Sequence, residues 1–169
     1  MRLCSMLISC LLFFLCSCSI SYKFNGATID YTRIKTLTIE DIPNQATLVY
    51  PPLSQMMTEE LRNHFRRNTR LSEISGNGDI TIEGAIVDYN LIPVAVQEDA
   101  FSAMTKFTIT VRISYINNVE PEKSFADRQF TSSAEFDSSQ MFNDVQDALA
   151  KELLEDIVKQ IFNATVEDW

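Results

Sequence analysis

The sequence predicts an α+β fold with the element order β-α-β-β-β-α, a two-layer sandwich in which two helices pack on one face of a four-stranded mixed sheet. Two segments place apolar residues at helical spacing, and four segments alternate apolar with polar residues at the period of a strand. The helical segments are 53–67 and 139–166, and the strand segments are 33–42, 79–91, 104–116 and 123–136.

A proline-rich loop separates the first strand from the first helix. In the strand, Leu37 and Ile39 alternate with threonine residues, which predicts one buried face. The loop prolines remove backbone donors and disfavour helix in the residue before them: Pro43, Pro51 and Pro52. Helical spacing then begins at Leu53, and the apolar face of this first helix comprises Leu53, Met56, Met57, Leu61 and Phe65.

Four arginines lie at the far end of the first helix: Arg62, Arg66, Arg67 and Arg70. They could form a docking site for an anionic ligand. They could also have a purely structural role, because cations at a helix C-terminus complement the helix dipole and Glu59 and Glu60 precede them at helical spacing. The sequence leaves both interpretations open.

The remaining three strands follow one another and leave one sheet face polar. In the second, Ile80, Ile82 and Ile86 share a face, and Gly84 marks a bulge or a close contact. The third has the clearest alternation, with Phe107, Ile109, Val111, Ile113 and Tyr115 on one face and Lys106, Thr108, Thr110, Arg112 and Ser114 on the other. After a turn, the fourth places Phe130, Ala134 and Phe136 on a common face.

The last helix carries a wide apolar stripe. Its centre is Val145, Leu149, Leu153, Ile157 and Ile161, flanked by Ala148, Leu154, Val158 and Phe162. The opposite face is mostly acidic, which is the wrong sign for binding anionic lipid. We therefore expect the helix to pack on the sheet rather than on a membrane.

The amino terminus has the layout of a bacterial lipoprotein signal. Met1-Arg2 is a short positive start, and the apolar run from Leu3 to Leu15 is shorter than the roughly 20 residues that a membrane-spanning helix needs. In the box Leu15-Cys16-Ser17-Cys18, Cys18 fits the lipid-receiving position, whereas Cys16 directly follows a bulky residue. The alternative is that Cys18 is incidental and lies near an ordinary cleavage site.

These features predict a signal peptide over residues 1–17, a lipidated tether over 18–30 and a single domain over 31–169. We predict no cofactor apart from a covalent lipid on Cys18. Removing residues 1–17, whose one charged side chain is Arg2, takes the formal net charge from -9 to -10. Such a chain should repel nucleic acid. Ser19 carries no signal for inner-membrane retention, so we expect an outer-membrane anchor with the domain on the periplasmic side.

The sequence contains no pattern typical of an enzyme or a metal site. Its one histidine, His64, has no nucleophile near it in sequence, and no cluster of His or Cys has metal-ligand spacing. Acidic pairs such as Glu59-Glu60 are ordinary surface acids without further geometry. We therefore expect no catalytic residues, no metal and a non-enzymatic role.

Three segments resemble the LptE family of lipopolysaccharide-assembly lipoproteins, in the form seen in Bacteroides-like bacteria. They are SISYKFNGATIDYTRIKTLTIEDIPNQATLVYPPLSQ, DITIEGAIVDYNLIPVAV and FDSSQMFNDVQDALAKELLEDIVKQIFNATVEDW. The resemblance implies a plug inside the lumen of the LptD β-barrel translocon, a role in assembling that barrel, and lipopolysaccharide as a further ligand. The alternative is a periplasmic accessory or regulatory lipoprotein of a lipid-transport or cell-wall system.

If the protein binds lipopolysaccharide, local basic patches must meet its phosphates. One candidate patch is Lys106 and Arg112, which share the polar strand face; the other is the set of four arginines at the end of the first helix. Lys106 and Arg112 lie six residues apart, which is roughly 20 Å along a strand. A pair at this distance could bind a large amphiphile. Alternatively, the two cations only keep the polar sheet face soluble or pair with acidic groups of a barrel lumen.

Overall fold

Five strands and two long helices make up the part of the chain that the structure describes. In the computed structural model this part comprises residues 29–48, 50–94 and 103–166. The elements in chain order are β1 (Thr36–Ile39), α1 (Leu53–Asn68), β2 (Ser72–Glu73), β3 (Ile80–Val94), β4 (Met104–Asn117), a 3₁₀ turn (Pro121–Lys123), β5 (Phe125–Asp137) and α2 (Phe142–Val166). The predicted α+β fold is confirmed. The predicted signal peptide, Cys18 and most of the tether lie outside the described residues.

The sheet has the strand order β2-β1-β3-β4-β5 and is mixed, as predicted. β1 pairs in parallel with both β2 and β3, while β3, β4 and β5 form an antiparallel meander. The count of four strands was one too low, because β2 was missed. β2 has only two residues, both exposed, so it is too short to show any alternation of apolar and polar side chains.

β1 is more deeply buried than its alternating pattern predicts. Thr38 is 3% exposed, so a position expected on the polar face lies in the interior. Its hydroxyl donates to the carbonyl of Gly76 at 2.5 Å and lies 3.2 Å from the carbonyl of Ile74. The segment after β2 therefore covers this threonine and provides the acceptors for its hydroxyl.

Gly84 marks a close contact rather than a bulge. A Cβ atom at residue 84 would lie 2.1 Å from the carbonyl oxygen of Arg112 on the neighbouring strand, so only glycine fits there. The irregularity in the β3–β4 register falls between Ile86 and Asp88 instead. Beyond this point β3 continues to Val94, farther than predicted, and includes Pro93. β1 does not pair with this part of β3, so the missing N–H of Pro93 leaves no gap in that pairing.

Both helices cover one face of the sheet and run in the same direction. α1 begins near the end of β1, where Ser54 Oγ donates to Ile42 O at 2.6 Å. α2 begins near the same end of the sheet, where Phe142 lies 5.2 Å from Phe107 between ring centroids. Near the other ends of the two helices, Phe65 and Phe162 meet edge to face at 5.2 Å.

The apolar stripes predicted for both helices form the core with the sheet. α1 buries Leu53, Met57, Leu61 and Phe65, and α2 buries Ala150, Leu153, Leu154, Ile157, Val158, Ile161 and Phe162. One member of the predicted α2 stripe was wrong: Ala148 is exposed. α2 also begins at Phe142, three residues later than predicted, because the segment before it forms turns.

Candidate functional site

The face of β3, β4 and β5 that points away from the helices is polar; we call it the open face. Three cross-strand rows run through its centre. They are Ile92–Lys106–Glu135, Asn90–Thr108–Ser133 and Asp88–Thr110–Thr131. The hydroxyls of Thr110 and Thr131 lie 3.0 Å apart and join β4 to β5. Hydroxyl and amide groups therefore dominate this surface, as the alternation in β4 predicts.

The two predicted basic residues of the open face both lie beside carboxylates. Arg112 Nε is 3.4 Å from Asp127 Oδ1, and Lys106 sits directly opposite Glu135 in the β4–β5 register. Glu83 and Asp88 add two more acidic groups to the same face. The structure brings Lys106 and Arg112 onto one face, as expected, but that face carries more acidic than basic side chains.

The four arginines predicted at the end of α1 are held individually. Arg62 bridges Asp41 at 3.1 Å and Glu73 at 3.0 Å, and it donates to the carbonyl of Ile39 at 2.9 Å. The other three contacts are Arg66 to Glu73 at 3.3 Å, Arg67 to Glu60 at 3.2 Å, and Arg70 over the ring of Tyr31 with its Cζ 6.0 Å from the centroid. Arg62 therefore hydrogen-bonds to the backbone of β1 beyond the last residue of β2.

A polar cavity of about 590 Å³ opens between α1 and the end of β1. Arg62 and Arg66 line it from the helix, and Asp41 and Glu73 face them. The guanidinium-bearing side chain of Arg66 is 65% exposed, whereas that of Arg62 is 33% exposed. Of the two basic patches, the one at the end of α1 combines an exposed arginine side chain with an adjacent cavity.

Of the described groups outside these patches, four have displaced pKa values: Asp30, Tyr50, Asp79 and Tyr89. Backbone and side-chain hydrogen bonds from Lys35 and Thr36 hold the pKa of Asp79 below its ordinary value. The hydrogen bond from Tyr50 to Asp147, reinforced by burial, raises the pKa of Tyr50 to about 12. Both contacts tie loops to the sandwich, so we assign them to structure rather than to chemistry.

The described residues contain no group of three or more His, Cys, Asp or Glu side chains that could hold a metal ion. His64 packs edge to face on Phe162, with ring centroids 4.8 Å apart. Over residues 29–48, 50–94 and 103–166, no helix is both long enough and apolar enough to cross a membrane.

Sequence reasoning found Glu60 but missed the other acidic partners of the basic residues. Asp127 lies on β5 at a left-handed backbone position (φ 53°), and Glu73 lies on β2. Asp127 contacts Arg112 on another strand, and Glu73 contacts Arg62 and Arg66 from outside the helix, so helical spacing could not reveal either acid. Only the pairing of Arg67 with Glu60 follows from positions along one helix, as the structural interpretation of these arginines predicts.

The fold and these surfaces define a class: a two-layer α+β domain that presents a polar sheet face and a separate arginine-lined cavity. The profile of the LptE lipopolysaccharide-assembly family matches residues 34–165, which span the sandwich from before β1 to the end of α2. The chain belongs to this family, as the resemblance of its sequence predicts. No curated protein has a sequence significantly similar to the chain.

Several solved structures are similar to the chain at low sequence identity. A hypothetical protein from Chlamydia trachomatis has a TM-score of 0.51 and 10% identity, covering 78% of this chain and 98% of that one. Lipoprotein B from Nitrosomonas europaea has a TM-score of 0.49 and 13% identity, covering 76% and 79%. A minor lipoprotein from Acinetobacter baumannii has a TM-score of 0.47 and 14% identity, covering 76% and 89%.

Proposed function

We propose that this protein is a non-enzymatic, lipid-anchored component of the outer membrane that acts as plug and assembly scaffold of an LptD-like β-barrel translocon. Membership of a lipopolysaccharide-assembly family carries the proposal. The covalent lipid on Cys18 and the location on the periplasmic side and in the barrel lumen belong to the proposal, since residues 1–28 are outside the described part of the chain.

The open face suits a plug for a physical reason. The lumen of an outer-membrane barrel is polar, so a domain that fills it must present polar groups and match the charges of the wall. Thr108, Thr110, Thr131 and Ser133 provide hydroxyls at the centre of the open face, among charged side chains such as Asp88 and Lys106. A surface that is mostly polar in this way can face the polar wall of a barrel lumen.

The partner can be identified by affinity purification from solubilised outer membrane. We expect a large β-barrel protein to copurify with the full-length chain. Recovery of a cell-wall synthase or an inner-membrane transporter in its place would support the accessory or regulatory role instead. A variant with Thr108→Lys and Ser133→Lys should fold normally and lose the barrel, because it adds two long charged side chains to the centre of the open face.

Lipopolysaccharide binding is a second part of the proposal, and the arginines of α1 support it better than the open face does. Arg66 pairs with Glu73 at 3.3 Å but keeps 65% of its side chain exposed, whereas Arg112 pairs with Asp127 and is 42% exposed. Lys106 lies opposite Glu135, and the open face as a whole carries more carboxylates than cations. Neutralisation of a phosphate is easier at the end of α1, where Arg66, Arg67 and Arg70 are all exposed.

A further inference from the structure

β5 is a long edge strand whose outer backbone groups face away from the sheet. It has 13 residues, and the described residues contain no strand beyond it. Ser138 N donates to Ala103 O at 2.9 Å, so these two residues form a hydrogen-bonded pair in the antiparallel register. Because such pairs alternate along the register, the N–H and C=O groups of four residues point outward: Gln129, Thr131, Ser133 and Glu135.

The outer edge of β5 carries little that would block another strand. It contains no proline and no lysine, the residues that commonly protect an edge. Gln160 Nε2 on α2 donates to Thr131 O at 3.1 Å, and within the described residues this is the hydrogen bond made to the four outward residues. A carbonyl oxygen has a second lone pair, so Thr131 O can accept another bond. The edge is therefore a template for pairing with another strand.

Arg128, near the start of β5, is a cation that is held in place without a carboxylate. Its Cζ lies 5.5 Å from the ring centroid of Phe125 and 5.4 Å from that of Phe130. The side chain is exposed, and among the described residues no ion pair joins it to an acidic group. The two aromatic rings fix the guanidinium at the edge of the sheet. Such an arginine is a typical anchor for a carboxylate of another molecule.

α2 carries acidic side chains along the flank that borders the edge of β5. Gln160 contacts Thr131 from this flank, and Asp156, one turn earlier, accepts a hydrogen bond from Gln160 at 3.0 Å. Glu152 lies one further turn toward the start of the helix, and both acids are exposed. This side of α2 therefore presents negative charge beside the outer edge of the strand.

Glu152 lies far along β5 from Arg128. α2 runs antiparallel to β5, because Phe142 at its start contacts Phe136 near the end of β5, with ring centroids 5.7 Å apart. At about 1.5 Å per helical residue, Glu152 lies roughly 12 Å from Gln160 in this direction. At about 3.3 Å per strand residue, this distance brings it level with about Glu135. The cation and the acid therefore lie at opposite ends of the same edge.

We propose that two copies of this chain pair antiparallel through the outer edges of β5, with Ser132 of each copy at a twofold axis. In this register Thr131 lies opposite Ser133 of the second copy, and Gln129 lies opposite Glu135 of the second copy. Each of the four outward residues then pairs with another of the four. The inference goes beyond the proposed function and does not rest on it.

The side chains that meet in this register are complementary. On the open face, the hydroxyls of Thr131 and Ser133 meet, and the amide of Gln129 meets the carboxylate of Glu135. On the helix side, Arg128 comes to the level of Glu152 of the second copy, so the free cation of one edge meets the acidic flank of the other. The twofold axis makes each of these contacts twice. Charge complementarity thus favours a second copy as the occupant of the edge, although the chain as a whole is acidic.

Pairing through β5 joins two five-stranded sheets into one continuous sheet. Residues directly opposite each other share a face, so both open faces lie on one side and both pairs of helices on the other. The open face stays uncovered in the pair. A copy that fills a barrel lumen must release its β5 edge first, so the pairing describes the chain before it is enclosed.

Disulfide formation across the axis tests the pairing in the full-length chain, in membranes of cells that process it. The two copies of residue 132 form a non-hydrogen-bonded pair with Cα atoms about 4.5 Å apart, which a disulfide can bridge. We expect Ser132→Cys to give about tenfold more disulfide-linked dimer than Thr131→Cys, whose two copies are offset to about 7–8 Å. Ser72→Cys on β2, at the opposite edge of the sheet, and the unmodified chain give the background. A yield for Ser132→Cys no higher than these controls overturns the proposal.

An exchange of charges tests the contact between Arg128 and Glu152. When added to Ser132→Cys, Arg128→Glu should lower the yield of dimer about fivefold, because like charges then meet twice. Arg128→Glu combined with Glu152→Arg should restore the yield to within about twofold, since the attraction is formed again with the signs reversed. Arg112→Glu makes the same change on the open face and should have little effect. A yield that the exchange does not restore contradicts the register, and melting temperatures check that each variant folds.

Hydrogen exchange separates pairing between copies from coverage of the edge within one chain. As the purified full-length chain is concentrated, the outward amides of Thr131 and Ser133 should exchange about tenfold more slowly. The inward amides of Ser132 and Ala134, which bond to β4, should change by less than about twofold. Outward amides whose exchange does not depend on concentration would show that no second copy occupies the edge, and would overturn the proposal.

Discussion

Asp79 and Thr36 bind each other reciprocally where β1 meets the start of β3. Thr36 N donates to Asp79 Oδ2 at 2.9 Å, and Asp79 N donates to Thr36 Oγ1 at 2.9 Å. Lys35 N donates to the same carboxylate oxygen at 2.8 Å. Through these contacts one acidic side chain fixes the entry of β1, which is parallel to both of its neighbours.

Replacing this carboxylate should weaken the domain in a pH-dependent way. We expect Asp79→Ala to lower the free energy of unfolding at neutral pH by about 1 kcal/mol, a modest value because solvent reaches the carboxylate. The folded-state pKa lies below the ordinary 3.8, so the contribution is complete above that pH and is lost as the pH falls through the lowered value.

Urea unfolding at neutral pH and near pH 3 measures this effect. The stability gap between Asp79→Ala and the unmodified chain should narrow in acid. Glu122→Ala, at an exposed position in the 3₁₀ turn, is the control. A gap that stays constant between the two pH values would disprove the role of the Asp79 carboxylate.

Tyr50 should titrate later than an ordinary tyrosine. Its hydroxyl donates to the Asp147 carboxylate, and its pKa is raised from 10.0 to about 12. Since the folded-state value is the higher one, the contribution to stability is complete below pH 10 and is lost as the pH rises through about 12. Burial also raises the pKa of Tyr89, so ultraviolet absorbance of tyrosinate should show two late components, one of which is absent in Tyr50→Phe.

Asp147→Asn should move that late component toward lower pH, because the charge that opposes ionisation is removed. Asp144→Asn changes an exposed acid one turn earlier in α2 and is the matched control. If both variants titrate like the unmodified chain, the contact between Tyr50 and Asp147 does not control the ionisation.

Leu153 tests the packing of α2 on the sheet. It is 2% exposed and belongs to the continuous core. Leu153→Ala should lower the free energy of unfolding by about 2–5 kcal/mol, because it removes buried methyl groups and leaves a cavity. Glu152→Ala, on the exposed side of the same turn, should change it by less than about 0.5 kcal/mol. Equal melting temperatures for the two variants would show that this position does not pack as described.

Charge reversal separates the two candidate sites for lipopolysaccharide. We expect Arg66→Glu with Arg70→Glu to weaken binding to the purified protein about tenfold at low salt. Lys106→Glu with Arg112→Glu should change it by less than about threefold, because both cations lie on a face with more carboxylates than cations and Arg112 is less exposed than Arg66. The reverse order of effects would assign binding to the open face, and melting temperatures check that all variants fold.

The lipid anchor is tested by fatty-acid labelling in cells. Cys18→Ala should abolish labelling and leave uncleaved or soluble protein, whereas Cys16→Ala should change little. The reason is that Leu15 occupies the position before Cys16, where the processing box requires a small residue. Equal labelling of Cys18→Ala and the unmodified chain would rule out Cys18 as the attachment site.

The sequence predicts elements well where one pattern persists over many residues. β4 alternates over its whole length and α2 repeats its apolar stripe over several turns, so both could be recognised from side-chain period alone. β2 could not, because two residues show no period. The depth of Thr38 escaped prediction for a related reason: burial of a polar group depends on carbonyls supplied by a distant segment, here Gly76 and Ile74.

The candidate site, like the fold, could be predicted from the sequence only in part. Alternation in β4 was enough to place Lys106 and Arg112 on one face, since faces follow from strand geometry. The positions of Glu135 opposite Lys106 and of Asp127 beside Arg112 required the β4–β5 register, which no local pattern contains. For the same reason the bridging position of Arg62 between Asp41 and Glu73 became visible only in three dimensions.

The strand order has a consequence for how the chain folds. β3, β4 and β5 are joined by neighbouring connections and can pair as soon as they meet, whereas the Leu37 pairing with Ile80 closes a long loop that includes α1. In a chain that emerges from its amino terminus first, β1 must wait for β3 before its place between β2 and β3 exists. We therefore expect the most amino-terminal strand of the sheet to join a domain in which β3, β4 and β5 are already paired.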